Sequence, residues 1–502
     1  MAFDSLQSSK HVCVVGAGPS GLISARELLK EGHSVVVLEQ NHDLGGQWLY
    51  QDADATATVH SSVFASLRIN APRMYMEFSD FMFTPVEGRD TRNYPGHREL
   101  FLYLKDFARC FELTEFIRFN TEVIHVGLAT PTQKWIVRSR DRRTDDGQFM
   151  EEIFDAVVVA TGHYSVPWLP KIKGMEEWKR KQLHSHVYRV PEPFQDEVVV
   201  VVGGSISGPE IALELVHVAK EVHISTKNVE IPEKLVKPVA KYEHLHWHQE
   251  IELICEDGTV VFADGSSVVA DSILYCTGYS YSFPFLDTKG IIHVDEKKIG
   301  PLYEYTFAPL SPSLSFVGIP NMFATCRFLE SQARRIAQVL SGKRKLPSAD
   351  NMMKAIEEVQ RLKELEEPPK NVIQVIAELL EGIDLLLFLP SRCPLQRHVF
   401  LCCNHHLACV GALPKASPFP PPGGVREERW FEGEGYEAKH VQGRRWDGDT
   451  GVRFCTDAGP TFESYGVARG SAGQLLNFEF CVQNCKLTEV SDAHKKLLSE
   501  LV

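Results

Sequence analysis

Two glycine-rich turns carry the chemistry available to this chain. The first, Gly16-Ala17-Gly18-Pro19-Ser20-Gly21, follows the apolar run Val12-Cys13-Val14-Val15. The second, Gly203-Gly204-Ser205-Ile206-Ser207-Gly208, follows Val198 to Val202. Each closes a buried-strand pattern and opens a helical one, Leu22 to Lys30 and Pro209 to Ala219. Glycines in that setting let backbone N–H groups approach a pyrophosphate at a helix N-terminus. Gly16, Gly18, Pro19, Ser20 and Gly21 are therefore candidate ligands of one dinucleotide, and Gly203, Ser205, Ser207 and Gly208 of a second. Two dinucleotides on one chain imply electron transfer between them.

The end of the next strand says which dinucleotide each turn holds. After the first turn, the strand Ser34 to Leu38 ends in Glu39, a carboxylate that accepts from ribose hydroxyls and repels a 2′-phosphate. After the second, Glu221 to Ile224 ends in Ser225-Thr226-Lys227, with no acid at the matching place. Hydroxyls and an ammonium suit a 2′-phosphate. The economical reading is flavin adenine dinucleotide (FAD) at the first site and NADPH at the second. A solvated strand-end lysine is the competing reading of Lys227.

Other segments bring backbone close to a ligand. Gly45-Gly46-Gln47-Trp48 places a double glycine where Gly46 admits the flavin side and Gln47 and Trp48 wall it, or else it is a simple turn. Two strand ends share a small-residue pattern, Ala160-Thr161-Gly162-His163 and Cys276-Thr277-Gly278-Tyr279, making Thr161, Gly162, Thr277 and Gly278 candidate cofactor contacts. Asn70 stands in the basic, turn-forming stretch Leu67 to Arg73, and on its own reads as a turn residue. His184 and His186 have no third ligand of convincing spacing. Adjacent cysteines and histidines in Cys402-Cys403-Asn404-His405-His406 with Cys409 make poor tetrahedral geometry. No metal is expected.

The elements that must position these residues predict an α/β fold with two Rossmann-like units. Helices are expected at Leu22–Lys30, Glu99–Phe111 and Ser331–Leu340. A hairpin is expected from Trp135–Arg138 through Asp146-Gly147 to a strand Ala156–Ala160. The buried-strand pattern Leu314 to Pro320 reads as a return to the first unit. The NADPH domain, 166–299, would then be inserted in an FAD domain made of 1–165 and 300–370. From Asn371 to Val502 the chain holds seven of its 12 cysteines, a Pro-Gly run and no sustained period, so it is expected not to pack as a domain.

A net charge of −13 argues against a nucleic-acid or anionic-membrane binder. Val372 to Leu389 is apolar but is interrupted by Glu378, Glu381 and Asp384, so a spanning helix is not expected there, and amphipathic membrane contact is the lesser alternative. The polar segment Met1 to Lys10 and scattered cysteines without a Cys-x-x-Cys pair predict a cytoplasmic chain.

The glycine turns, Gly45-Gly46-Gln47-Trp48, His184-Ser185-x-x-Tyr188-Arg189 and Cys276-Thr277-Gly278-Tyr279 together resemble the flavin-containing monooxygenases. Asn93 to Glu99 and Val190 to Phe194 are similar to the plant S-oxygenating branch that acts on glucosinolate thioethers. The likeness runs from about Lys10 to Pro369. It implies that NADPH reduces FAD, that dioxygen adds to form a C4a-hydroperoxyflavin, and that a small-molecule thioether sulfur or amine nitrogen takes the terminal oxygen. It also implies that Asn70 lies by the flavin and supports the oxygen adduct.

The chain departs from the family pattern in several places. Ser205 replaces a glycine and Ile172 a phenylalanine, both tolerable. Cys326-Arg327-Phe328-Leu329-Glu330 stands where an apolar stretch is usual, and Arg335 where a tryptophan is usual. These changes and the dissimilar tail leave open a non-catalytic flavin binder or an aberrant splice product. A keto-acid oxygenase of the auxin-synthesis type is a lesser alternative. Tyr188 argues against a Baeyer–Villiger monooxygenase, and the lack of a spaced cysteine pair against a dithiol reductase.

Overall fold

The computed structural model describes residues 9–52, 60–129, 132–144, 147–227, 230–295, 297–320 and 325–363. The segment from Asn371 onward, with Val372–Leu389 and the Cys402–Cys409 cluster, lies outside the described residues.

The chain opens with β1 (His11–Val15), α1 (Pro19–Lys30) and β2 (Ser34–Leu38), a strand–helix–strand unit with both strands parallel. Pro19 takes the first helical position, where its fixed φ suits the helix and its missing N–H costs nothing. After α2 (His97–Cys110) come β3 (Ile117–Arg118), then β4 (Thr121–Ala129), β5 (Lys134–Asp141), β6 (Met150–Phe154) and β7 (Ala156–Val159). A hairpin forms, but not the expected one: β5 pairs with β6, while Ala156–Val159 runs parallel beside β1. The reason is legible in burial. All four residues of β7 are buried, as a central parallel strand requires, whereas β6 is exposed along most of its length.

The second unit repeats the plan. Its strands are β8 (Lys181–His184), β9 (Val198–Val202), β10 (Glu221–Ser225), β11 (Leu245–His248) and β15 (Ser272–Tyr275), with α3 (Ser207–Leu215) after β9 and α4 (Glu233–Lys241) after β10. They form a parallel sheet in the order β11-β10-β9-β15-β8. A three-stranded antiparallel sheet, β12 (Ile251–Ile254), β13 (Thr259–Phe262) and β14 (Ser267–Val269), precedes β15. Val199, Val201, Val222 and Ile224 face α3, and Val198, Val200 and Ile273 face the β12–β14 layer.

The chain then returns. Leu286–Asp287 (β16) pairs with β4; a small ribbon, β17 (His293–Val294) and β18 (Ile299–Gly300), follows. Leu314–Phe316 (β19) joins β7 and completes the first sheet, in the order β19-β7-β1-β2-β3. The strands β8 to β15 thus lie in the chain between β7 and β19 of the first sheet.

The last described helices are α5 (Cys326–Leu340) and α6 (Ala349–Lys363), and α5 lies against α1. Sequence periodicity starts α5 five residues too late. Thr325 caps the helix, its hydroxyl accepting from Phe328 N–H at 3.4 Å, and the first turn is charged yet buried. Every departure from the family pattern there has a partner. Arg327 pairs with Glu77 at 3.2 Å, and Arg335 with Glu304 at 2.7 Å. Glu330, with no exposed surface, accepts from Arg26 at 3.0 Å, Arg334 at 2.9 Å and the Ser79 N–H at 2.8 Å. The stretch that looked disruptive is an ionic seam joining α5 to α1 and the 77–80 segment.

Removing one member of such a seam strands its partner, so Glu330→Ala should destabilise the protein by about 3 kcal/mol. Urea unfolding with wild type as reference measures it; an unchanged midpoint would show that the seam is not closed in solution.

Candidate functional site

Both turns share the same close contacts at their first and last glycines. Gly16 and Gly203 take φ of +100° and +126°, a left-handed region that a side chain rarely adopts. Gly16 N–H donates to Leu38 O at 2.8 Å, and Gly203 N–H to Ser225 O at 2.8 Å. A Cβ on Gly21 would sit 1.8 Å from Gly16 O, and one on Gly208 would sit 1.8 Å from Gly203 O. These contacts fold the strand end under the helix start. In α1 the N–H groups of Ser20 and Gly21 precede the first helical bond, from Leu22 to Gly18 O, and so point to the mouth of the turn. Ser207 and Gly208 hold the same place in α3, and Ser205 and Ser207 are exposed there.

The surroundings of the first turn fit FAD. Gly45 N–H donates to Ala17 O at 2.9 Å, and a Cβ on Gly46 would meet Gly18 Cα at 2.9 Å, so the double glycine is pressed against the turn. Gln47 and Trp48 follow in a short 3-10 turn, with Trp48 half-buried against the core. Glu39 lies buried at the end of β2. Its carboxylate accepts from Ala17 N–H at 2.7 Å and from the Asn41 backbone and side chain, each at 2.8 Å. Burial raises its pKa, and those hydrogen bonds together with Arg142 oppose the shift. A carboxylate has roughly four acceptor positions and three are filled here, so about one remains for a ribose hydroxyl.

In the second unit Thr226 occupies the position of Glu39. Its N–H donates to His248 O at 3.1 Å, as that of Glu39 does to Arg118 O at 3.0 Å. The Thr226 side chain lies against Gly204, whose absent Cβ would meet its hydroxyl oxygen at 2.7 Å. Lys227 is exposed. Ser225 differs from expectation. It is 1% exposed and its hydroxyl donates to Gln249 O at 3.0 Å, so it faces into the domain and not into the cleft. The cause is strand alternation, which a three-residue motif read as a unit ignores.

The two small-residue turns diverge. Thr277 donates to Trp168 O at 2.5 Å, whereas the buried hydroxyl of Thr161 has no partner among the described residues. Gly162 and Gly278 have φ of +70° and +88° with open space above them. The residues that follow, His163 and Tyr279, belong to one aromatic cluster with Tyr164, Tyr281 and His184. Asn70 is exposed, follows the buried Ile69, and makes no hydrogen bond among the described residues.

The His184–Arg189 motif proves to be a clasp between the units, a role its residue types did not reveal. Arg189 donates to Gln51 O at 2.6 Å and Ser61 O at 2.7 Å in the first unit. It also donates to His186 O and Tyr188 O, both at 2.8 Å, in its own segment. Tyr188 is buried, bonds Glu214 at 2.8 Å and contacts Phe64 edge-on at 5.6 Å. His186 meets Ser62 at 2.7 Å. Arg189 thus has carbonyl acceptors on both sides and is a signal only the fold could give.

Two Rossmann units, one carrying an acid at the ribose position and one without, joined by a buried clasp, define a flavoprotein oxidoreductase that pairs a flavin with a nicotinamide. The flavin-binding monooxygenase-like family model matches residues 9–236 and 242–388, and the chain belongs to that family. It is 57% identical over 387 residues to flavin-containing monooxygenase FMO GS-OX-like 8 of Arabidopsis thaliana, covering 74% of this chain and 83% of the relative. FMO GS-OX3 of the same plant is 48% identical over 363 residues, 70% of this chain and 77% of the relative. Among solved structures, S-allyl-L-cysteine S-oxygenase from Allium sativum superposes with a TM-score of 0.70 at 36% identity, covering 81% of this chain and 98% of that one. The protein is a flavin monooxygenase that uses FAD and NADPH and oxygenates sulfur or nitrogen of a small molecule with dioxygen. Neither a non-catalytic flavin binder nor the keto-acid branch is favoured. No helix among the described residues is long and apolar enough to cross a membrane.

His163 and His184 supply a test of the cluster. Burial pulls each pKa down to about 4, helped at His184 by His186. An unfolded chain protonates them near 6.5. Between about pH 6.5 and 4 the unfolded state therefore binds more protons, and stability falls as pH drops, by about 1.4 kcal/mol per unit for each histidine. Above 6.5 the contribution is complete. Thermal midpoints across that window should fall more gently for His184→Gln, and an identical slope would place His184 in water.

Proposed function

We propose that the physiological substrate is a thioether, which the enzyme converts to a sulfoxide. The observation that carries this reading is the combined likeness to plant GS-OX proteins and to an S-allyl-L-cysteine S-oxygenase within one family. An amine remains the alternative within the same chemistry. In this reading the first turn, with Gly16, Gly18, Pro19, Ser20, Gly21 and Gly46, cradles the FAD pyrophosphate, Glu39 holds its ribose, and Gln47, Trp48, Thr161 and Gly162 lie along the flavin. Gly203, Ser205, Ser207 and Gly208 take the NADPH pyrophosphate, Thr226 and Lys227 its 2′-phosphate, and Thr277 and Gly278 the nicotinamide side. The unpartnered Thr161 hydroxyl and the open space at Gly162 and Gly278 support those placements. FAD supplies the oxygen-activating chemistry; the chain orients it, excludes water and holds nucleotide against it.

Asn70 is assigned to the oxygenation step itself, supported by its exposed, uncommitted amide. A cytosolic location is supported by five free thiols among the described residues, Cys13, Cys110, Cys255, Cys276 and Cys326.

Two experiments test this reading. Purified enzyme should oxidise NADPH with tight coupling to sulfoxide formation from an alkyl thioether, and Asn70→Ala should keep its flavin and its NADPH oxidation while releasing more hydrogen peroxide per sulfoxide. Normal coupling in the variant would return Asn70 to a turn residue, and faster, better-coupled turnover of a tertiary amine would move the substrate class. For the nucleotide, Lys227→Ala should weaken NADPH about tenfold, some 1.4 kcal/mol, with NADH unaffected. Equal affinity of the wild type for both nucleotides would remove Thr226 and Lys227 from the phosphate site.

A further inference from the structure

A histidine cluster on the second sheet is used by neither dinucleotide. Glu221 and His223 are two residues apart on β10 and share one face of the strand. His223 is in register with His246 of the edge strand β11. One ligand atom from each of Glu221, His223 and His246 lies within 4.8 Å of the others. His223 Nε2 and Glu221 Oε2 are 3.4 Å apart. Two ligands on a tetrahedral zinc, with bonds of ~2.0–2.1 Å, stand about 3.3 Å apart.

The proton positions follow from neighbouring bonds. Ser266 Oγ contacts Asp264 Oδ1, and a carboxylate only accepts, so the hydroxyl proton lies there. Ser266 Oγ is then an acceptor for His248 Nδ1 at 2.9 Å. With its proton on Nδ1, neutral His248 offers a bare Nε2, 3.0 Å from His223 Nδ1. His223 must donate that bond, which leaves its own Nε2 bare. In that tautomer the Nε2 lone pair faces the Glu221 carboxylate oxygen at 3.4 Å, and an ion between them would take one ligand atom from each. A cation resolves that opposition. The chain from His223 through His248 to Ser266 and Asp264 is the kind of outer relay that fixes the tautomer of a metal-bound imidazole.

We propose that Glu221, His223 and His246 form a binding site for a divalent cation of the zinc type, with water in the fourth position. Two imidazoles and one carboxylate suit a borderline ion such as Zn²⁺ and not Mg²⁺, which prefers oxygen. Glu221 and His246 are half-buried, so the ion can enter from solvent. This departs from the expectation of no metal. The signal was in the sequence as His244-x-His246-x-His248, but it needed His223 from the neighbouring strand.

The test uses chelator-treated, flavin-loaded full-length protein titrated calorimetrically with zinc sulfate. His246→Ala and Glu221→Gln should each lose one equivalent of zinc or weaken it at least tenfold, and His248→Ala, which leaves all three ligands, should weaken it about tenfold. Isotherms identical to wild type in all three variants would overturn the site. X-ray absorption of wild type loaded with one equivalent reads the ligands without any substitution. A nitrogen and oxygen shell at ~2.0–2.1 Å supports the proposal, and a shell dominated by sulfur at ~2.3 Å refutes it.

Discussion

A methyl group added at Gly21 would stand 1.8 Å from the Gly16 carbonyl oxygen, and one at Gly208 equally close to that of Gly203. No side-chain adjustment relieves such a contact, because the opposing atom is backbone. The strand therefore passes into the helix at a distance only glycine allows. The rest of the molecule follows from that closeness, since it aims the first-turn N–H groups of α1 and α3 out of the sheet ends where a pyrophosphate can lie. Behind the two turns lie paired, mostly buried parallel strands, β1 with β7 and β9 with β15, which hold the turns at fixed height.

Two well-formed nucleotide sites do not by themselves make an oxygenase; the flavin and nicotinamide must meet. Arg189 contributes that constraint. A guanidinium bonded to Gln51 O and Ser61 O on one side and to His186 O and Tyr188 O on the other ties backbone to backbone across the two units. It carries no carboxylate partner among these contacts, and burial lowers its pKa. The bonds are geometric in their value, since carbonyls in fixed chain segments define direction more tightly than a mobile carboxylate. Phe64 beside Tyr188 adds an apolar contact from the first unit to the core of the second.

How much of this was readable depended on whether the signal was local. The glycine turns, Glu39 and the return of Leu314–Phe316 to the first sheet are local patterns, and the strand–turn–helix order makes them legible. Ser225 was misjudged because alternation along β10 sets which of three consecutive polar residues turns inward. The start of α5 was missed because Arg327 and Glu330 interrupt its apolar period, and their partners Glu77, Arg26 and Ser79 are remote in sequence. The clasp and the histidine cluster failed for the same reason. Each is a set of ordinary residues whose meaning comes from a neighbour on another strand or loop.

The aromatic cluster beyond Gly162 and Gly278 shows what the fold achieves electrostatically. Burial pulls His163 and His184 down to about 4 and pushes Tyr164, Tyr279 and Tyr281 up. All five are neutral at pH 7, so this polar, hydrogen-bonding wall neither gives up nor takes a proton readily. In a reaction where the oxidising power belongs to the flavin, a strong acid nearby would promote loss of the oxygen as hydrogen peroxide. A cluster that stays neutral supplies no such acid. The scarcity of acid–base pairs is then a property the packing enforces: the same desolvation that keeps water out also keeps these groups uncharged.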